Sequence, residues 1–364
     1  MALFVTSSAG LQGAYGAAGY QSVLRKLNAL AAVGGQNAAQ VRVLDDALSM
    51  QGLASAKGTD AASLRAALQP LLANAGGAVT IVGNQLVFPS FSVANPVSDR
   101  TLDPDANVLT DNPFGYADGT APGDCIEPPV VVGRIATGVS DSAQALCSLL
   151  DWQIAWRQQK PLRSGYVEVT SRQWQDTSSF VLSAMASSQR VYVSPDQRIT
   201  AANAASLDCK YLYCNLHGFA NGGAWMGYDQ GLSWPVPAVT PDAFQSTYMN
   251  GTICFTEACY GLKIDSLSTG SSCALSLLAA GAAGVIGATG LAFGTATVKP
   301  TNLIDADAMA QGFFNTAIQG GQKLGDCMQA ARTQLLSTSS PSDPYVKKTL
   351  LEFQLLGDPS YAAS

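Results

Sequence analysis

The feature that most constrains this chain is a series of short apolar runs that are continuous rather than alternating. They lie at residues 2–6, 41–44, 79–82, 130–132, 166–169, 191–193, 211–216, 252–256 and 285–288. A strand with one wet face alternates apolar and polar residues, whereas a strand covered on both faces does not. Stretches with helical spacing separate them, at 20–32, 63–74, 141–158, 178–187 and 272–280. Three more follow the last run, at 307–318, 324–336 and 345–356. This alternation predicts an α/β fold of mainly parallel sheets flanked by helices on both faces.

At 364 residues the chain suits two packed lobes better than one ordinary domain. The expected boundary is 159–164, giving an N-terminal α/β lobe over 1–160 and a second lobe over 161–364. Two irregular stretches stand out, 88–129 and 219–242, both rich in Gly and Pro. Loops that long inside a compact chain are as a rule functional or interaction surfaces.

Hydrophobic residues make up 47% and charged residues 13%. Such a composition buries a large core and excludes wholesale disorder. The net charge of −6 repels phosphate backbones, which argues against nucleic acid and suits a basic peptide or protein partner. Residues 266–298 carry no charge, but they are dense in Gly, Ala, Ser and Thr. A lipid-facing helix would hold larger apolar residues. The expectation is a buried helix, a turn and a buried strand, with no membrane contact. The start, Met1-Ala2-Leu3-Phe4-Val5-Thr6, lacks the basic stretch of a signal peptide. A cytoplasmic location with reduced thiols is expected, or a secreted one if the chain is a processed form.

One histidine, His217, is present. Zinc sites built on several histidines are therefore excluded within the chain. Two apolar runs end in chemically capable residues. Tyr211-Leu212-Tyr213-Cys214-Asn215-Leu216 leads into His217-Gly218, and Thr252-Ile253-Cys254-Phe255-Thr256 leads into Glu257-Ala258-Cys259-Tyr260-Gly261. Reactive groups in parallel sheets gather at the carboxyl ends of strands. His217 and Cys259 are thus expected on one edge, where a thiol beside an imidazole is the minimal nucleophilic pair. The imidazole is expected to titrate near neutral pH and to raise the thiolate fraction of its neighbour. The N–H groups of Gly218 and Cys259 could form an oxyanion hole. The plainer reading, a satisfied core histidine and an inert buried thiol, is the better one for either residue alone, and the joint arrangement tips the balance toward the pair.

Cys209 and Cys214, and again Cys254 and Cys259, are five apart. An odd spacing points strand side chains to opposite faces, which argues against a four-thiolate metal site. The acids Asp99, Asp103, Asp105, Asp111, Asp118 and Asp124 share the long irregular stretch. Their spacing could hold a structural Ca²⁺, although the helix-loop-helix pattern is missing and turn-forming acids are the simpler reading.

The order strand-His-Gly then strand-Ala-Cys-x-Gly resembles the caspase-like cysteine peptidases, and within them the gingipain family. Further segments carry the resemblance: Val79-Thr80-Ile81-Val82-Gly83-Asn84 with Val87-Phe88-Pro89, Thr110-Asp111-Asn112-Pro113-Phe114-Gly115, Val130-Val131-Val132-Gly133-Arg134-Ile135, and Leu355-Leu356-Gly357-Asp358-Pro359-Ser360. The resemblance implies a two-lobed αβα architecture whose second lobe, 161–364, is the catalytic one. It implies a cysteine endopeptidase with no metal at its catalytic centre, acting on polypeptides through a thioester, with Cys259 as nucleophile, His217 as acid/base and Gly218 at the oxyanion. It places a third catalytic acid in 166–176, where Glu168 and Asp176 are candidates. Asp176 also fits the pocket acid of arginine-specific relatives, and Thr289, Gly290, Leu291 and Phe293 match a pocket wall. Cleavage after Arg or Lys follows as the expectation, with Asp305 and Asp307 as other sources of the acid. An activator or regulatory partner fits such an enzyme. A non-peptidase thiol acyltransferase or amidase, or a silent binding module, are the competing readings.

Overall fold

The computed structural model describes residues 2–33, 38–185, 189–245, 247–295 and 302–362. Its strands are β1 (Ala2–Thr6), β2 (Ala39–Val43), β3 (Ala78–Val82), β4 (Phe91–Ala94), β5 (Asn107–Thr110), β6 (Val131–Ile135) and β7 (Tyr166–Ser171). They continue as β8 (Gln189–Ser194), β9 (Tyr211–Asn215), β10 (Trp225–Gly227), β11 (Val236–Val239), β12 (Ile253–Thr256), β13 (Gly284–Ala288) and β14 (Phe353–Gly357). Ten of them form one sheet in the order β2-β1-β3-β6-β14-β13-β12-β9-β7-β8. The strands before residue 160 thus occupy one side of the sheet, and those after it the other.

The helices are α1 (Ser8–Ala31), α2 (Ala47–Met50), α3 (Ala61–Leu68), α4 (Ala143–Gln158), α5 (Gln175–Val181), α6 (Pro241–Gln245), α7 (Cys273–Ala279), α8 (Asp305–Ala317), α9 (Leu324–Thr338) and α10 (Pro344–Glu352). One face of the sheet packs on α1, α4 and α7 through Leu27, Leu146 and Leu275. The other packs on α8 and α9 through Phe313, Phe314 and Met328. Successive residues of β9 serve the two layers in turn: Leu212 and Cys214 go to the first, Tyr211 and Tyr213 to the second. That division is why the runs in the sequence are continuous. The charge-free stretch is α7, a turn and β13 as far as residue 295, its last three residues lying outside the described ones. Among the described residues no helix is long and apolar enough to cross a membrane.

Two features were not evident in the sequence. The first helix begins at Ser8, twelve residues before the helical spacing becomes regular, and it bends at Gly16, whose φ is 67°. Its start is held by Asp45, which accepts from Ser8 N at 2.7 Å and Ala9 N at 2.8 Å and so places a negative charge at the helix N-terminus. The last helix stops at Glu352, and the chain passes directly into β14, the strand between β6 and β13. β14 runs antiparallel to β13 and meets β6 with Leu356 opposite Arg134. Here Gly133 is required, because a Cβ on it would lie 2.4 Å from the Gly357 carbonyl oxygen. Beside it Arg134 is 2% exposed. It grips Asp111 with two bonds of 2.7 and 2.8 Å and donates to the Gly83 and Phe88 carbonyls at 2.8 Å, anchoring the long 88–129 segment to the sheet. Asp358 does the same for the C-terminal segment, accepting from Arg157 at 2.6 Å and Thr80 at 3.1 Å.

Candidate active site

β9 and β12 are parallel neighbours, with Thr256 opposite Cys214. Glu257 N extends the pairing by donating to the Cys214 carbonyl at 2.9 Å. The two chains therefore leave the sheet side by side, one carrying His217 and the other Cys259. Gly218 is packed so closely that a Cβ on it would lie 1.8 Å from the Cys259 carbonyl oxygen. No other residue fits there without moving the Cys259 backbone. On its other side His217 exchanges two backbone bonds of 2.8 Å with Met226 of β10.

The ring of His217 is held by the segment after β7. Trp174 lies 4.3 Å from it between ring centroids, and Gln173 Nε2 approaches His217 Nε2 at 2.7 Å. Tyr228 meets the ring edge-on at 5.9 Å. Burial without a charged partner pushes the imidazole down to about 4, well below the neutral range expected from its unperturbed value. Of eight cysteines, seven are buried and Cys259 is half-buried. Its Sγ donates to the Ala292 carbonyl at 3.5 Å, and desolvation pushes the thiol up to about 11. This runs against the expectation of a raised thiolate fraction: burial favours a neutral thiol at Cys259 and a neutral imidazole at His217.

A cavity of about 130 Å³ opens beside Cys259. Trp174, Leu216, Ala292, Phe293 and Ala306 give it apolar walls, while Glu257 and Asp307 supply carboxyls. Glu257 accepts from Tyr213 Oη at 2.5 Å and is hydrogen-bonded to Asp307. Asp307 accepts from Thr295 N at 2.5 Å and Asn215 Nδ2 at 3.4 Å. Burial, with the neighbouring Asp307 charge, holds the Glu257 carboxyl far above the usual carboxylate range, and burial raises Asp307 as well. Gly294 forms part of the wall, and a Cβ there would come within 2.7 Å of Asp307 Oδ2.

The other sequence candidates fall in different places. Glu168 is fully buried in mid-strand, in register with Tyr213. From its segment it is Gln173, not Glu168, that bonds to the His217 ring. Asp176 is exposed in the first turn of α5 and does not border the cavity. Of the wall loop, Phe293 faces the cavity, whereas Thr289 binds the Leu109 carbonyl at 2.8 Å and Gly290 and Leu291 turn the other way. There they meet a buried charge cluster. The Lys348 ammonium lies 2.5 Å from Asp103, 3.4 Å from Glu352 and 3.8 Å from Asp105, and donates to the Leu291 carbonyl at 2.5 Å. Lys348 supplies the positive charge at the point where the loop carboxylates Asp103 and Asp105 converge. Among the described residues no group of three His, Cys, Asp or Glu is arranged to hold a metal.

The family described as Peptidase family C25 matches residues 21–363. Among solved structures, the Arg-specific cysteine proteinase gingipain R aligns with a TM-score of 0.63 at 12% identity, over 100% of this chain and 78% of that one. A structure described only as a protease aligns at 0.64 and 14% identity with the same coverage. At these identities the likeness speaks for the fold. No curated relative matches by sequence.

Proposed function

Since the chain belongs to Peptidase family C25, it is a cysteine peptidase acting on polypeptides, and we propose that it works through Cys259 and His217 and cleaves after Arg or Lys. The observation that carries the dyad is the contact of Gly218 with the Cys259 backbone, which brings both strand ends to one point. With thiol and imidazole both neutral at rest, attack is a general-base step. The sulfur adds to the scissile carbonyl as its proton passes to the imidazole. The N–H groups of Gly218 and Cys259 receive the oxyanion. The imidazolium then protonates the departing amine, leaving a thioester that water hydrolyses with the imidazole again as base.

Gln173 takes the place at the ring where an acid was expected. A neutral amide both donates and accepts, so it can hold the ring without charging it. As placed, the Gln173 amide nitrogen donates to Nε2; the amide turned over would instead accept from Nε2–H and leave the Nδ1 lone pair free for the thiol proton. The carboxyls of the cavity and the net charge of −6 support the basic preference. The test is a scan of fluorogenic peptides varying the residue before the scissile bond. Cys259→Ala should abolish cleavage, and His217→Ala should cost at least about 10²-fold in kcat. Turnover by Cys259→Ala would remove the assignment, and preference for Leu or Phe over Arg and Lys would remove the specificity.

A further inference from the structure

We propose that Glu257 and Asp307 form the specificity floor beside Cys259, that the empty floor holds one proton between its two carboxyls, and that a basic side chain entering the cavity expels that proton to solvent. The proposal rests on the peptidase reading and adds to it the residues that choose the substrate and a proton that accompanies the choice.

The lining of the cavity is two-natured. Trp174, Leu216, Ala292 and Ala306 offer apolar surface to an aliphatic stem, and Glu257 and Asp307 are its charged groups. That pattern matches Arg and Lys, which are apolar along the stem and charged at the tip. Among the described residues no Lys or Arg lines the cavity, so the carboxyls have no resident cation.

Two buried carboxyls in contact do not both ionise in the absence of a cation. The groups facing the pair act in both directions. Tyr213 of β9 donates its hydroxyl to Glu257 and favours its anion, whereas Asp305 of α8 adds a further carboxyl beside Asp307 and opposes a second charge there. The remaining neighbours, Asn215 and Thr295, are neutral donors to Asp307. The empty pair therefore carries one negative charge and one proton. When a guanidinium or ammonium enters, its own charge replaces that proton. The pair becomes doubly ionised, the proton leaves to solvent, and total charge is conserved. A neutral isostere gives no such exchange.

The experiment separates this floor from catalysis by using Cys259→Ala protein, which binds without turnover. A peptide ending in Arg at the cleavage position is compared with the same peptide carrying citrulline, a neutral isostere. Calorimetry at pH 7 in two buffers of different ionisation enthalpy counts protons. We expect at least about tenfold tighter binding of the Arg peptide, with close to one proton released, and none released with citrulline. Glu257→Gln in the same background should remove the proton release, whereas Asp176→Asn should leave it unchanged. Binding of the Arg peptide without proton release, or no preference over citrulline, overturns the proposal, and neither readout needs the pocket variant to fold. Wild-type protein that binds the Arg peptide in this way yet cleaves no peptide would instead overturn the peptidase reading and leave the floor standing.

Discussion

Tyr260 donates its hydroxyl to Asp105 at 2.9 Å, joining the residue after Cys259 to the long segment between β3 and β6. The second oxygen of Asp105 accepts from Leu291 N at 2.9 Å, so one carboxylate holds both loops that flank the thiol. Tyr260 itself has a φ of 55°, a left-handed conformation that a tyrosine adopts only when its surroundings impose it. Its N–H donates to the Gly290 carbonyl at 2.6 Å. Tyr260→Phe should therefore lower kcat about tenfold, the weight of one hydrogen bond to a charged group, with little change in KM. Steady-state kinetics on one substrate checks this. An unchanged kcat would show that the Gly290 bond alone holds the turn.

Lys348 is the only cation of its buried cluster among the described residues, facing Asp103, Asp105 and Glu352. Removing one partner of a buried pair leaves the others desolvated and uncompensated. Lys348→Met should destabilise the fold by about 3–5 kcal/mol. Denaturant unfolding measures the loss, and adding Glu352→Gln should recover part of it. Glu352 is already pushed up to about 8 by burial, with Lys348 pulling the other way, so neutralising it sacrifices little.

Burial holds the His217 imidazole at about 4. The acid limb of kcat/KM, measured with a substrate neutral at the cleavage position, should therefore fall near pH 4 rather than near neutrality. Stability follows the same sign: the unfolded chain takes up the proton first, so folding weakens as pH drops from about 6.5 toward 4 and gains nothing above that range. Gln173→Glu would place an anion on the ring and should move the acid limb upward. A limb that stays in place would mean that Gln173 does not touch the working tautomer.

Gly218→Ala tests the strand-end contact. The added methyl would overlap the Cys259 carbonyl oxygen, so the loop carrying Cys259 must shift. Turnover should fall by about 10²-fold or more, as when an oxyanion donor is misplaced, with an overpacking cost of about 1–3 kcal/mol. Circular dichroism and thermal unfolding beside the kinetics separate the two effects.

How much of this was readable in the residues differs by element. His217 and Cys259 stood out because each follows a continuous apolar strand and lies close to a glycine. The two helical layers were legible because both faces of β9 and β12 are apolar. β14 was not: Leu350, Leu351, Phe353, Leu355 and Leu356 continue the spacing of α10, and no Gly or Pro intervenes before Gly357. Only its place between β6 and β13 makes it a strand. The start of α1 was hidden by Gly10, Gly13, Gly16 and Gly19, each of which weakens a helix, while its capping acid Asp45 lies beyond β2. Asp307 was noted only as one of several acids, because α8 brings it to Glu257 through tertiary packing. Gln173 carried no signal at all, being a neutral residue where a charged one was sought.

The position of β14 governs the order in which the protein can assemble. β6 and β13 are both made before it, yet each finds its inner partner only in residues 353–357. A nascent chain paused at α10 presents two unpaired strand edges at the middle of its sheet, the kind of edge that recruits strands from other chains. Synthesis must pass residue 357 before those edges can be covered, so until then both stay open to pairing with other chains. It also delays completion of the β13 side of the Cys259 site, so proteolytic activity should be withheld until the polypeptide is beyond that point.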